Sequence, residues 1–209
     1  MAIDLHTLAH KLRPRELIRT ASNALTDFRF GGFCGGCERN PEPGAHATGP
    51  TDYRLMPQFF DGRIGADDVL VDVGCGTGRV LNWWLGQGYR NRIYGIEMME
   101  HVALRTAERL AGYSTVKIVC GDAVTHLPED GTLFFLANPF DDRFMRPLAD
   151  RLLDIGVHHP LKIIYFAPTF LDVFAADQWV IDMHPIDLPS TGYFEERHRR
   201  FAVIGPRRP

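Results

Sequence analysis

No stretch of this 209-residue sequence approaches the roughly 20 consecutive apolar residues that a membrane-spanning helix needs. A large charge of one sign is also missing, because 23 Lys and Arg face 26 Asp and Glu for a formal net charge of −3. That excludes a field able to hold a nucleic-acid backbone by charge alone, so nucleic acid is not indicated as a partner. The run Arg197-His198-Arg199-Arg200 is a local basic patch and most simply a solvated face. The opening residues, Met1-Ala2-Ile3-Asp4-Leu5-His6, lack the charged-then-apolar layout of a signal peptide, so a cytoplasmic protein is expected.

Cysteine is sparse, at four residues. Cys75 and Cys120 end or follow apolar runs and are expected to be reduced and buried. Cys34-Gly35-Gly36-Cys37 looks like half of a zinc knuckle, but no second CxxC and no HxxxH follows. A structural zinc needs four ligands, and His46 would be only a third. A thioredoxin-type motif opens a helix after a strand, whereas this pair lies among glycines. A loop near a site entrance is the plainer reading, with metal and disulfide left as alternatives.

An apolar content of 45 % supports a globular core, and the length suits one domain with an extension. Residues 1–52 read as an N-terminal helical segment followed by a Gly- and Pro-rich loop, and residues 53–209 as the main domain. Pro14 is placed to open a helix, and Leu17, Ile18, Ala21, Leu25 and Phe28 recur at helical spacing as one apolar face. From residue 69 onward, strands and helices alternate. Strands are expected over 69–73, 92–96, 116–120, 133–137 and 161–166, with helices over 77–85, 98–111 and 141–155. Near-continuous apolar strands between helices imply a parallel sheet covered on both faces, an α/β fold. The tail, about 179–204, reads as an antiparallel hairpin at one edge.

The most informative stretch is Val69-Leu70-Val71-Asp72-Val73-Gly74-Cys75-Gly76-Thr77-Gly78-Arg79-Val80. A strand ends in an acid, three glycines alternate along a turn, and an apolar helix begins. Glycines permit positive φ and close approach of a ligand, and the helix start offers unpaired N–H groups. A dinucleotide site wants G-x-G-x-x-G. Here Arg79 occupies the place of the third glycine, where its bulk disfavours that reading. Asp72 interrupts an apolar strand, and a lone buried carboxylate requires a cation or N–H groups to meet it. An acid that only pins the glycine loop is the plainer alternative.

This Asp-x-Gly-x-Gly-x-Gly pattern resembles the first motif of the class I S-adenosylmethionine-dependent methyltransferases, and the resemblance spans about residues 50–170. It implies a Rossmann-like methyltransferase fold, with a seven-stranded, mostly parallel sheet in the order 3-2-1-4-5-7-6. It also implies S-adenosyl-L-methionine as cofactor, held by Asp72 and by Gly74, Cys75, Gly76 and Gly78. Glu97, at the end of the second strand, would accept from the ribose hydroxyls, or else simply sit as an acid at a helix start. Met98 would lie against the adenine face or pack in the core. Asp122 would accept from the adenine amino group, with the Ala123 N–H on a ring nitrogen; a turn aspartate is the alternative.

Asn138-Pro139-Phe140 resembles the [D/N]-P-P-[F/Y] motif of methyltransferases that modify planar nitrogens, with one proline missing. It is similar to an Asn-Pro-Phe found in a poorly characterised branch that also carries a tyrosine before the first strand, which Tyr53 matches. The alternative is a strand-to-helix turn in which Asn138 caps and Pro139 opens the helix. The resemblance implies transfer of a methyl group, with nitrogen one option for the acceptor. Small molecule, protein side chain and nucleobase stay open as acceptors, as does the oligomeric state. A non-catalytic methyltransferase-fold protein that binds the cofactor or a partner for regulation is the competing reading.

Overall fold

The computed structural model describes residues 14–38, 44, 49–175, 177–188 and 196–207. Its centre is a seven-stranded sheet in the order β3-β2-β1-β4-β5-β7-β6. The strands are β1 Leu70–Val73, β2 Ile93–Glu97, β3 Val116–Cys120, β4 Leu133–Leu136, β5 Lys162–Phe166, β6 Trp179–Pro185 and β7 Arg200–Pro206. β3 through β5 pair in parallel, and β7 and β6 close the sheet as an antiparallel hairpin. The helices are α1 Pro14–Arg29, α2 Met56–Phe60, α3 Arg79–Gly86, α4 Glu100–Leu110, α5 Ala123–His126 and α6 Asp142–His158. This is the Rossmann-like methyltransferase arrangement, with the strand order that the sequence resemblance implies.

Strands β1 and β4 are buried along their whole length, which is why their sequences carry almost no alternation. Val71, Val73, Phe134 and Leu136 face α6 through Met145, Leu148 and Leu152. Leu70, Leu133 and Phe135 face the opposite side, against Leu81 and Trp84 of α3. Helix α2 fills this second face with aromatic rings. Phe60 meets Trp83, Trp84 and Phe135 at centroid distances of 5.2, 5.3 and 5.1 Å, and Phe59 meets Phe166 at 5.0 Å. Such ring pairs add to the energy of area burial.

One burial expectation is corrected. Cys75 is buried, but Cys120 is exposed. It ends β3, which lies at the sheet edge and whose residues are at most half-buried. An apolar run at an edge is covered on fewer sides than one at the centre. No described helix is long and apolar enough to cross a membrane.

Helix α1 docks in an unusual sense. Asn23 and Asp27 are its buried residues, whereas Leu17, Ile18, Leu25 and Phe28 are exposed by 51, 68, 67 and 64 %. Its apolar stripe points away from the domain.

Candidate functional site at the carboxyl ends of the central strands

The chain leaves β1 through a turn in which Gly74, Gly76 and Gly78 have φ of 77, 52 and 78°. These are left-handed conformations that other residues adopt only with strain. The Gly74 and Cys75 N–H groups both donate to the Ile96 carbonyl at 2.9 Å, and the Gly78 N–H closes the turn on the Cys75 carbonyl at 2.8 Å. A Cβ on Gly74 would lie 3.0 Å from Pro139, and one on Gly78 would lie 2.9 Å from both Arg109 and Thr106. The turn is therefore seated between the β4 exit and α4 at a distance only glycine permits.

Asp72 stands on the α3 side of β1 and is 3 % exposed. Among the described residues its carboxylate has no hydrogen-bond or ion-pair partner. Burial, and secondarily the nearby Glu97 charge, push its pKa up to about 8. It lines a cleft with Gly74, Gly76, Thr77, Phe135 and Ala137, together with Gly36, Gly49, Pro50 and Thr51 from the N-terminal segment. The enclosed part of this cleft is ≈ 40 Å³, room for a few water-sized groups such as an ammonium.

Glu97 ends β2 and is 4 % exposed. Its carboxylate accepts from the Gly76 N–H at 2.9 Å and from the Met99 N–H at 2.8 Å. Burial raises its pKa, and these backbone donors act against that rise. A carboxylate offers about four lone-pair sites, so two amides leave capacity for hydroxyl donors. Met98, next in sequence, is half-buried. The Cys75 thiol is held well above its usual range by burial and by Asp72 and Glu97, and is not a nucleophile.

Asp122 caps α5, accepting from the Val124 N–H at 3.1 Å, and so fills the turn role read from the sequence. Ala123 is buried in the core cluster that contains Ile96. At the end of β4, Asn138 has φ 49°, and at the end of β5 Ala167 has φ 51°. Left-handed non-glycine residues at adjacent strand ends mark a site where the surrounding structure holds strain. Tyr165, fully buried, ties Asn138 to the segment after β5: its hydroxyl accepts from the Phe170 N–H at 3.3 Å and donates to Asn138 Oδ1 at 3.1 Å. Asn138 does not cap the following helix; Asp141 does, accepting from the Arg143 N–H. Phe140 is buried in the core with its ring 5.9 Å from Phe144.

The N-terminal segment is fastened to this turn by buried polar groups that no single sequence motif announces. Asp27 is fully buried and takes four donors: Arg79 Nε at 3.1 Å, Arg79 Nη2 at 2.7 Å, the Tyr53 hydroxyl at 2.8 Å and the Cys34 N–H at 3.1 Å. Asn82 donates to the Tyr53 hydroxyl at 3.1 Å and to Cys34 Sγ at 3.4 Å. Arg109 donates to Asn82 Oδ1, to the Phe30 carbonyl and to the Thr77 carbonyl. Thr77 in turn donates to the Cys34 carbonyl at 2.8 Å. Tyr53 thus spends its hydroxyl in this clasp, and burial pushes its pKa upward.

Burial likewise raises the Cys34 pKa. Cys37 is exposed, and His46 lies outside the described residues. The clasp was missed in the sequence, although two signals there could have found it: an arginine in the slot of a third glycine, and an asparagine inside the apolar run Val80-Leu81-Asn82-Trp83-Trp84.

Comparison with known proteins places this geometry. Residues 71–137 match a family model described as a methyltransferase domain. The pyocyanin biosynthetic protein PhzM superposes with a TM-score of 0.55 at 14 % identity, over 75 % of this chain and 54 % of that one, so this chain spans about half of PhzM's length. A TehB-like SAM-dependent methyltransferase from Corynebacterium glutamicum gives 0.53 at 13 % identity, over 75 % of this chain and 86 % of that one. The methyltransferase domain of bacterial CtHen1-C gives 0.52 at 12 % identity, over 74 % and 96 %. No curated protein matches the sequence. Residues 71–137 are thus similar to the methyltransferase-domain family, and the chain as described has the class I S-adenosylmethionine-dependent methyltransferase fold.

Proposed function

We propose that this chain is an S-adenosylmethionine-dependent methyltransferase whose acceptor enters beside Asn138 and Phe140. One observation carries the reading: Asp72, a buried carboxylate without a partner, faces a cleft walled by a glycine turn. Leaving such a group unmet is costly, and a cationic ligand relieves the cost. S-adenosylmethionine carries a protonated amine and supplies an already activated sulfonium methyl. The residues present fit it. Asp72 would receive its cationic end, Gly74 to Gly78 would let it approach the backbone, and Glu97 keeps lone pairs for ribose hydroxyls. Met98, Asp122 and Ala123 would border the base.

With an activated methyl, this chain's residues mainly need to align donor and acceptor for in-line displacement. Asn138 does not titrate near neutral pH, so it orients and does not remove a proton. Its oxygen already accepts from Tyr165, so an amine acceptor would share that atom with the tyrosine hydroxyl. The strained turn at Asn138 and Pro139, packed on Gly74, sets the distance between donor and acceptor sides.

Calorimetry with S-adenosylmethionine, S-adenosylhomocysteine and NAD tests the reading. Binding of the first two, abolished by Asp72→Ala, is expected. Binding of NAD with no response to the other two would overturn it.

A further inference from the structure

We infer that the methyl acceptor is a small molecule carrying an oxyanion, a carboxylate or a phosphate, and that Arg197 receives this group beside Asn138. The inference rests on the acceptor side proposed above. In the sequence the run Arg197-His198-Arg199-Arg200 reads as a solvated basic face. In the fold it divides: Arg199 and Arg200 are exposed, whereas Arg197 and His198 are half-buried. The Arg197 Nε is out of reach of solvent. Topology decides where the run stands. Strand β7 is antiparallel to β5, with Phe201 opposite Phe166, so β7 begins where β5 ends. The short 3-10 helix Glu196–Arg199 leads into β7 and therefore lies at the carboxyl edge of the parallel strands. Two contacts hold this junction there. The Ala167 N–H donates to the Arg200 carbonyl at 3.3 Å, and the His198 ring lies 5.8 Å from the Phe166 ring. Leu136 of β4 pairs with Tyr165 of β5, so the left-handed residues Asn138 and Ala167 leave the two strands side by side.

From this edge Arg197 acts on the acceptor side. Burial raises the Tyr165 pKa, and backbone N–H donors and the Arg197 charge work against the rise. The same hydroxyl donates to Asn138 Oδ1 at 3.1 Å, so Arg197 and Asn138 flank one tyrosine hydroxyl. Asp172, the carboxylate that also acts on it, is exposed, where water screens its charge. The two ends of the site thus differ in sign: Asp72 and Glu97 stand at the cofactor end, and Arg197 at the acceptor end. Withdrawing a guanidinium from water costs solvation, which a bound oxyanion returns. Its five N–H donors include a parallel fork that matches a carboxylate or phosphate, so it binds one without giving up its protein contacts. A nucleic-acid backbone would need many such cations, and a net charge of −3 does not supply them. One inward arginine suits a single anionic group.

Calorimetry on the full chain saturated with S-adenosylhomocysteine tests this with matched probes: benzoate, phenyl phosphate and neutral benzamide. One of the two anions is expected to bind at least about tenfold more tightly than benzamide, and which one does so identifies the group. Arg197→Gln should reduce that anion to the level of benzamide. Arg197→Lys, which keeps the charge without the fork, should retain part of the preference. Arg199→Gln, at an exposed neighbour, should leave it whole. Melting temperature and S-adenosylhomocysteine affinity should match the wild type in all of these variants. Probes of equal affinity, or none that binds, overturn the inference, while intact S-adenosylhomocysteine binding leaves the cofactor reading standing. A preference that survives Arg197→Gln, or that Arg199→Gln removes equally, overturns it too. So does a single-stranded oligonucleotide bound more tightly than either anion, which would assign the basic run to a polymer. A chain that does not bind S-adenosylhomocysteine would overturn the proposed function and this inference with it.

Discussion

Helices α3 and α1 are linked through Arg79 and Asp27 and are built in opposite senses. Helix α3 buries Val80, Leu81, Trp83 and Trp84 against the sheet and α2. Helix α1 buries Asn23 and Asp27 and turns its leucines and phenylalanine to solvent. The first is held by apolar area, which is non-directional and tolerates small shifts. The second is held by charge-assisted hydrogen bonds of fixed geometry, which position a segment more sharply than they stabilise it. The segment so positioned carries Cys34, whose carbonyl accepts from Thr77, and Gly36, which lines the Asp72 cleft.

The sharpest way to break this contrast is Asp27→Ala. It leaves Arg79 buried without its partner and should cost about 3–5 kcal/mol. Hydrogen exchange should show α1 amides losing protection while β1, β4 and β5 keep theirs. Uniform loss of protection would mean the two regions fold as one unit. Replacing both charges, as Asp27→Leu with Arg79→Met, should recover most of the stability.

Asp72→Asn is expected to act in the reverse sense, trading binding for stability. Cofactor affinity should fall about 100-fold, on the order of 3 kcal/mol for a lost charge-assisted contact. The folded chain holds the Asp72 proton up to about pH 8, whereas an unfolded aspartate releases it near 3.8. Stability from this group is therefore full below about pH 3.8, drains away as pH rises from there, and is gone above about 8. The variant should melt higher than wild type at pH 8, by at least about 1 kcal/mol of stability. An unchanged melting temperature would show that the carboxylate is solvated.

The same proton gives a third test. A cationic ligand favours ionised Asp72, so binding releases a proton below pH 8. S-adenosylhomocysteine affinity should rise from pH 6.5 toward pH 8, by up to about tenfold per pH unit. Calorimetry in two buffers of different ionisation enthalpy reads the release directly, and Asp72→Asn should abolish it. The smallest effect belongs to Tyr53→Phe. This removes one of the four donors to Asp27 and should cost about 1 kcal/mol, with cofactor affinity nearly unchanged. A large loss of affinity would move Tyr53 from the clasp into the cleft.

Much of this was readable in advance because it is local. The apolar runs at 69–73 and 133–137 announce strands covered on both faces, and a turn needing left-handed backbone announces itself by glycine. Asp72 was conspicuous as an acid within an apolar strand. Asn138 was legible as a strand-end residue, but its partner was not, since Tyr165 comes 27 residues later. Cys120 was misjudged because an apolar strand reads alike at the edge and the centre of a sheet.

The strand order was implied only by the family resemblance; by itself the sequence determined the alternation of strands and helices, the glycine turn and the existence of an apolar stripe on α1. Those follow from periodicity, composition and backbone sterics within short windows. Only the tertiary structure decided which way α1 faces. Periodicity reports that a helix has two faces and is silent on which one is buried. The choice was made by Arg79, 52 positions away, whose buried charge had to find Asp27.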